Sequence, residues 1–102
     1  MTKAELIERV AKIAGTTTRD AENVLDGFRD LVQATVKRGD EISYHGLGKF
    51  SRSARRPRVV LNPRTGEPMN LPAMKVPRFS ASAGFKRVVR GDDTAPRLPR
   101  AA

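Results

Sequence analysis

Seven cations crowd one stretch of this chain: Arg52, Arg55, Arg56, Arg58, Arg64, Lys75 and Arg78. From Ser53 to Lys75 the only carboxylate is Glu67. A guanidinium is always charged and presents a planar fork of donors that matches phosphate oxygens. Like charges facing one another across paired strands are destabilising. A charged edge does protect strands from aggregating, but that accounts for charge and not for charge of a single sign. A polyanion lying among these side chains removes their repulsion. The pattern therefore points to phosphate contact on a nucleic acid, and no membrane partner is expected.

Other chemistries have less to stand on. The sequence has no cysteine and one histidine, His45. Neither a disulfide framework nor a metal site is expected, and His45 reads as an ordinary strand residue. No carboxylate is placed to orient it as the base of a nucleophilic triad. Gly46-Leu47-Gly48 lacks the rest of a phosphate loop and reads as a hairpin turn. No enzymatic activity, cofactor or small-molecule substrate is expected.

The total charge of +9 is unevenly spread over the 102 residues. Met1 to Asp40 carries seven basic and seven acidic residues. Glu41 to Arg90 carries eleven basic and two acidic residues, so the whole excess lies there. Two arginines and two aspartates balance from Gly91 onward. A neutral scaffold thus presents a basic working surface. No apolar run approaches the roughly 18 residues of a membrane-spanning helix, and no signal-peptide core is seen. A soluble protein of a reducing compartment is expected, formed as one domain.

The elements that must hold those cations are legible from periodicity. Thr2 and Glu5 have the spacing of a capping box. Leu6, Ile7, Val10, Ala11, Ile13 and Ala14 follow on one helical face, and Gly15 ends the helix. Thr17 or Thr18 caps a second helix with Asp20 in its first turn. Its stripe is Ala21, Val24, Leu25, Phe28, Leu31, Val32 and Val36, and Gly39 stops it. Glu41 to His45 then alternates as a half-buried strand does. A second strand starts at Lys49 and runs on to Leu61.

Asn62-Pro63-Arg64-Thr65-Gly66 is a turn, and Glu67 to Phe79 is the return. Pro57, Pro68, Pro72 and Pro77 suit a two-stranded ribbon, which is all edge. Ser80 to Arg90 reads as a short helix capped by Ser80 or Ser82, with Phe85, Val88 and Val89 inward. From Gly91 to Ala102 disorder is expected. The fold class is α+β: a helical hairpin, a small antiparallel sheet with a long β-ribbon arm, and a short C-terminal helix.

Such a chain is short of core. About 90 ordered residues is near the lower limit for a self-sufficient domain. About 25 of them, Ser53 to Lys75, form a ribbon with nothing to pack on. The second helix's stripe exceeds what a small sheet can cover. A symmetric partner subunit is the simplest remedy.

In its motifs the sequence resembles the HU/IHF family of bacterial DNA-bending proteins over roughly Met1 to Val89. The pieces are Thr2-Lys3-Ala4-Glu5-Leu6-Ile7, Lys37-Arg38-Gly39-Asp40, Gly46-Leu47-Gly48-Lys49-Phe50, Asn62-Pro63-Arg64-Thr65-Gly66-Glu67 and Val76-Pro77-Arg78-Phe79. Departures are Leu47 for the family's usual phenylalanine, Val60-Leu61 for a small then a basic residue, Ala83 for a lysine, and extra prolines on the return.

The resemblance implies a domain over residues 1–90 and an intertwined homodimer, a heterodimer being possible. It implies double-stranded DNA as the partner, architectural bending that is largely independent of sequence, and a place in the cytoplasmic nucleoid. A sequence-selective bender of the IHF type and a basic RNA-binding structural protein remain the alternatives. On turn chemistry alone Pro63 only fixes a dihedral; by the resemblance it is the intercalating wedge. The implied DNA contacts are Lys3, Arg52, Arg55, Arg56, Arg58, Asn62, Pro63, Arg64, Lys75, Arg78 and Lys86.

Overall fold

The structure is a computed structural model that describes residues 1–98. Helix α1 spans Lys3–Ala14 and α2 spans Thr18–Lys37. The Thr2 hydroxyl accepts from the Glu5 N–H, and the Thr17 hydroxyl accepts from the Asp20 N–H, so each helix opens on a threonine cap. The short linker folds the pair into a hairpin. Ile7, Ala11 and Ala21 are buried between them, with Val10 and Leu25 packed alongside.

Strands β1 (Ile42–Tyr44), β2 (Gly48–Arg55) and β5 (Met74–Ala81) form an antiparallel sheet in the order β1-β2-β5. Strands β3 (Arg58–Leu61) and β4 (Pro68–Leu71) pair separately beyond it. The expected continuous strand from Lys49 to Leu61 is therefore two strands. The register runs out at Arg55↔Met74 and resumes at Arg58↔Leu71. The gap holds Pro57 on one side and Pro72 on the other. Each lacks an N–H, so both strands lose ladder bonds at the same level. Pro77 is tolerated because β5 is an edge strand. With this ribbon extended, the molecule is 56 Å in its longest dimension.

Aromatic rings join the helices to the sheet. Phe28 of α2 lies edge-on to Tyr44 at 6.2 Å and to Phe50 at 6.3 Å, and Phe50 meets Phe79 at 5.0 Å. Gly48 makes that packing possible. A Cβ there would strike the Ser80 carbonyl oxygen and the Phe79 ring. We expect Gly48→Ala to lower stability by about 1–3 kcal/mol, the usual cost of overpacking. Thermal unfolding checks it, and an unchanged melting temperature would contradict the close approach.

Helix α3 (Ala83–Arg90) begins later than expected. Ser80 is a residue of β5, and Ser82 is the cap, its hydroxyl accepting from the Phe85 N–H. Phe85 and Val88 are half-buried, but Val89 is 72% exposed and does not face inward as expected. Eight residues make barely two turns, and the packed face is narrower than the Val88-Val89 pair. Residues 91–98 carry no helix or strand. The disorder expected at 99–102 lies outside the described residues.

The single chain has almost no interior. Among the described residues only Ile7, Ala11, Ala21 and Val36 are buried apolar residues, and no side chain is fully buried. A groove of about 580 Å³ lies between α2 and the sheet, with Val32, Val36, Phe50, Pro77 and Phe79 in its apolar wall and Arg52 and Lys75 at its margin.

Candidate nucleic-acid interface

The arm and its root carry the cations, and strand register decides which face each one takes. Residues paired across a ladder share a face, and successive residues alternate. Phe50 packs on α2, so its face is the helix side. Arg52 and Ala54 share that side, as do their partners Pro77 and Lys75. Ser51, Ser53 and Arg55 lie on the opposite face with Arg78, Val76 and Met74. The structure thus puts Arg55 and Arg78 on the outer face, four residues apart along the ladder, and Arg52 and Lys75 on the other face. Lys49 belongs to the same outer face as Arg55 and was not among the expected contacts. Its signal was available in the alternation of β2. It pairs with Glu41 at 3.4 Å.

Farther out, Arg58 opens β3 and Arg64 stands in the terminal turn. The turn is built by Asn62. Its side-chain Oδ1 accepts from the Arg64 N–H at 2.9 Å, an Asx turn. Its carbonyl accepts from the Gly66 N–H at 2.7 Å, and its own N–H donates to the Glu67 carbonyl at 2.8 Å. Asn62 was expected as a DNA contact; here three of its polar groups shape the tip. Pro63 is thereby held at the exposed crown of the turn, next to the exposed Leu61.

Electrostatically the two halves of the protein differ. The helical half is largely self-neutralised. Lys3 sits 3.2 Å from Asp26, and Arg29 sits 3.4 Å from Asp26 and 3.0 Å from Asp30. The hydrogen bond to Asp30, then the charges of Asp30 and Asp26, hold the Arg29 guanidinium above its ordinary pKa. In α3, Arg87 pairs with Asp93 at 2.9 Å and Arg90 with Asp92 at 3.2 Å. By contrast Arg55, Arg56, Arg58, Arg64, Lys75, Arg78 and Lys86 form no ion pair among the described residues. Lys3, an expected contact at the far end of the chain, is already engaged. Lys86 is exposed on α3 and unpaired. The described residues include no cluster of His, Cys, Asp or Glu able to hold a metal.

A helical body bearing a paired-strand arm, with its unpaired cations concentrated on that arm and a rigid apolar residue at its crown, defines a class. It is that of small basic proteins that hold a duplex with β-ribbons. The family model for bacterial DNA-binding protein matches residues 1–90. DNA-binding protein HRL18 of Rhizobium leguminosarum is 42% identical over 89 residues, covering 87% of this chain and 98% of the relative. DNA-binding protein HU of Geobacillus stearothermophilus is 37% identical over 90 residues, covering 88% of this chain and all of the relative. Among solved structures, a cocrystal of Anabaena HU with DNA matches with a TM-score of 0.82 at 37% identity, covering 87% of this chain and 97% of that one. The chain belongs to the HU/IHF family of bacterial DNA-binding proteins.

Proposed function

We propose that this protein is an architectural binder of double-stranded DNA that acts as a homodimer, non-enzymatically, in the cytoplasmic nucleoid. The observation that carries this reading is the concentration of unpaired cations on an arm tipped by Pro63. Arg55, Arg56, Arg58, Arg64, Lys75 and Arg78 supply phosphate neutralisation, with Lys86 beside the arm. Arginines favour a narrow minor groove, where negative potential is enhanced. Pro63 is rigid, apolar and free of an N–H that insertion would leave unpaired, so it suits wedging between base pairs. Unstacking a step costs a few kcal/mol, offset by the extra protein surface that bent DNA contacts.

The exposed groove between α2 and the sheet supports the dimer. A second copy would cover its apolar wall, which a lone chain leaves wet. An RNA partner is less well served, because base stacking wants exposed aromatic rings. Only Tyr44 and Phe79 are exposed aromatics here.

The test is a fluorescence-transfer bend assay on end-labelled duplex at saturating protein. Pro63→Ala should abolish most of the bend while affinity falls less than tenfold, because the cost of unstacking disappears along with the contacts it permits. A Pro63→Ala protein that bends DNA as the wild type does would reduce Pro63 to a turn residue.

A further inference from the structure

The end of α2 leaves four backbone carbonyls without helical partners, as every helix does. Three are answered by the backbone that follows. The Ala34 carbonyl accepts from the Arg38 N–H at 3.3 Å, the Thr35 carbonyl from the Asp40 N–H at 3.2 Å, and the Val36 carbonyl from the Gly39 N–H at 3.0 Å. The fourth, on Lys37, accepts from Arg52 Nη1 at 3.1 Å. Arg52 lies fifteen residues away on β2.

Its approach is shaped for the purpose. Alternation puts Arg52 on the helix side of the sheet with Phe50. Gly39 clears the path: a Cβ there would lie 2.9 Å from Arg52 Nη2 and 3.3 Å from its Cζ. Gly39 also has φ of 92°, a conformation that other residues adopt only under strain. A cation at a helix C-terminus is favoured by the helix dipole as well as by the hydrogen bond.

We infer that Arg52 is a positioning residue and not a phosphate contact. It caps α2 from the sheet and so fixes the root of the arm to the helical body. This rests on the reading of the arm as the DNA-binding element. Arg52 is exposed and carries the same charge as Arg55, but its guanidinium donates to the Lys37 carbonyl. Removing it should leave the counterion term of binding intact and disturb the aim of the arm.

The experiment compares Arg52→Met, which keeps the apolar stem and removes every donor, with Arg52→Lys, which returns donors to the same carbonyl. Arg55→Met is the reference for a phosphate contact. Arg52→Met should melt roughly 4–8 °C lower at fixed protein concentration, with Arg52→Lys regaining part of the loss. Arg52→Met should keep the wild-type slope of log affinity against log salt but bend saturated duplex less. Arg55→Met should lower that slope by about one. A slope lowered by about one in Arg52→Met, or an unchanged melting temperature and bend, would overturn the inference.

Should Arg52→Met not fold, arginine modification by phenylglyoxal on the wild type decides. Arg52 should react at the same rate with and without duplex, while Arg58 and Arg64 become protected by duplex. Fast reaction of Arg52 in the free protein, suppressed by DNA, would make it a phosphate contact. If no arm arginine is protected, the DNA-binding role of the arm fails, and the loss of melting temperature in Arg52→Lys relative to the wild type still decides the cap.

Discussion

Raising salt from 50 to 200 mM should weaken duplex binding by about three to five orders of magnitude, the range for a protein that makes some 6–10 phosphate contacts. The geometry supports a number in that range. Arg55, Arg56, Arg58, Arg64, Lys75 and Arg78 have no carboxylate partner among the described residues, so neutralising phosphates costs them no existing ion pair. Lys3, Arg29, Arg87 and Arg90 are already paired and contribute less. A slope of log affinity against log salt on the order of −5 to −10 follows. Duplexes of different sequence should compete almost equally, since the minor groove presents a degenerate pattern of donors and acceptors. A shallow slope, or a preference of more than about a thousandfold for one duplex, would contradict a general binder.

Phe79→Asp should abolish cooperative folding at micromolar concentration. Phe79 packs one side of its ring against Phe50, yet it remains 46% exposed in the single chain. If solvent covered that half, the substitution would forfeit part of one aromatic contact. If a second copy covers it, the carboxylate is buried without a partner and costs several kcal/mol. That is comparable to the whole stability of a small domain. In the wild type, such burial by a second copy would make the melting temperature rise with protein concentration. Circular dichroism at several concentrations measures both effects. A cooperative, concentration-independent transition in Phe79→Asp would show that this face belongs to solvent.

Local signals were the ones the sequence stated plainly. Thr2, Thr17 and Gly15 mark the helix ends because caps are decided within a few residues. The tip turn was legible for the same reason, since Asn62 and Gly66 act on their own neighbours. What depended on partners across the fold was harder. Ser80 looked like a cap, but pairing with Lys49 extends β5 through it, and Ser82 takes the role. The prolines were seen to suit an edge, while their alignment across the ribbon needed the register. Arg52 was grouped with the other arginines by type. The alternation Phe50, Arg52, Ala54 held the information that it faces the helices, yet only the α2 terminus gives that direction a meaning. Asp92 and Asp93 read as tail, although they fold back on Arg90 and Arg87.

The paired interruption at Arg56-Pro57 and Pro72-Ala73 gives the arm the mechanics of a two-link finger. The proximal link is stiff, because β2 and β5 continue into a sheet braced by Phe50 and Phe28. The distal link is held only by the four pairs from Arg58↔Leu71 to Leu61↔Pro68. A joint that carries no ladder bonds is the most compliant point between them. A straight, rigid prong fits one groove curvature, whereas a knuckled one can follow a groove whose path changes as the crown enters. If the arm binds DNA as proposed, the bending of the duplex and the flexing of the finger would share a single compliance.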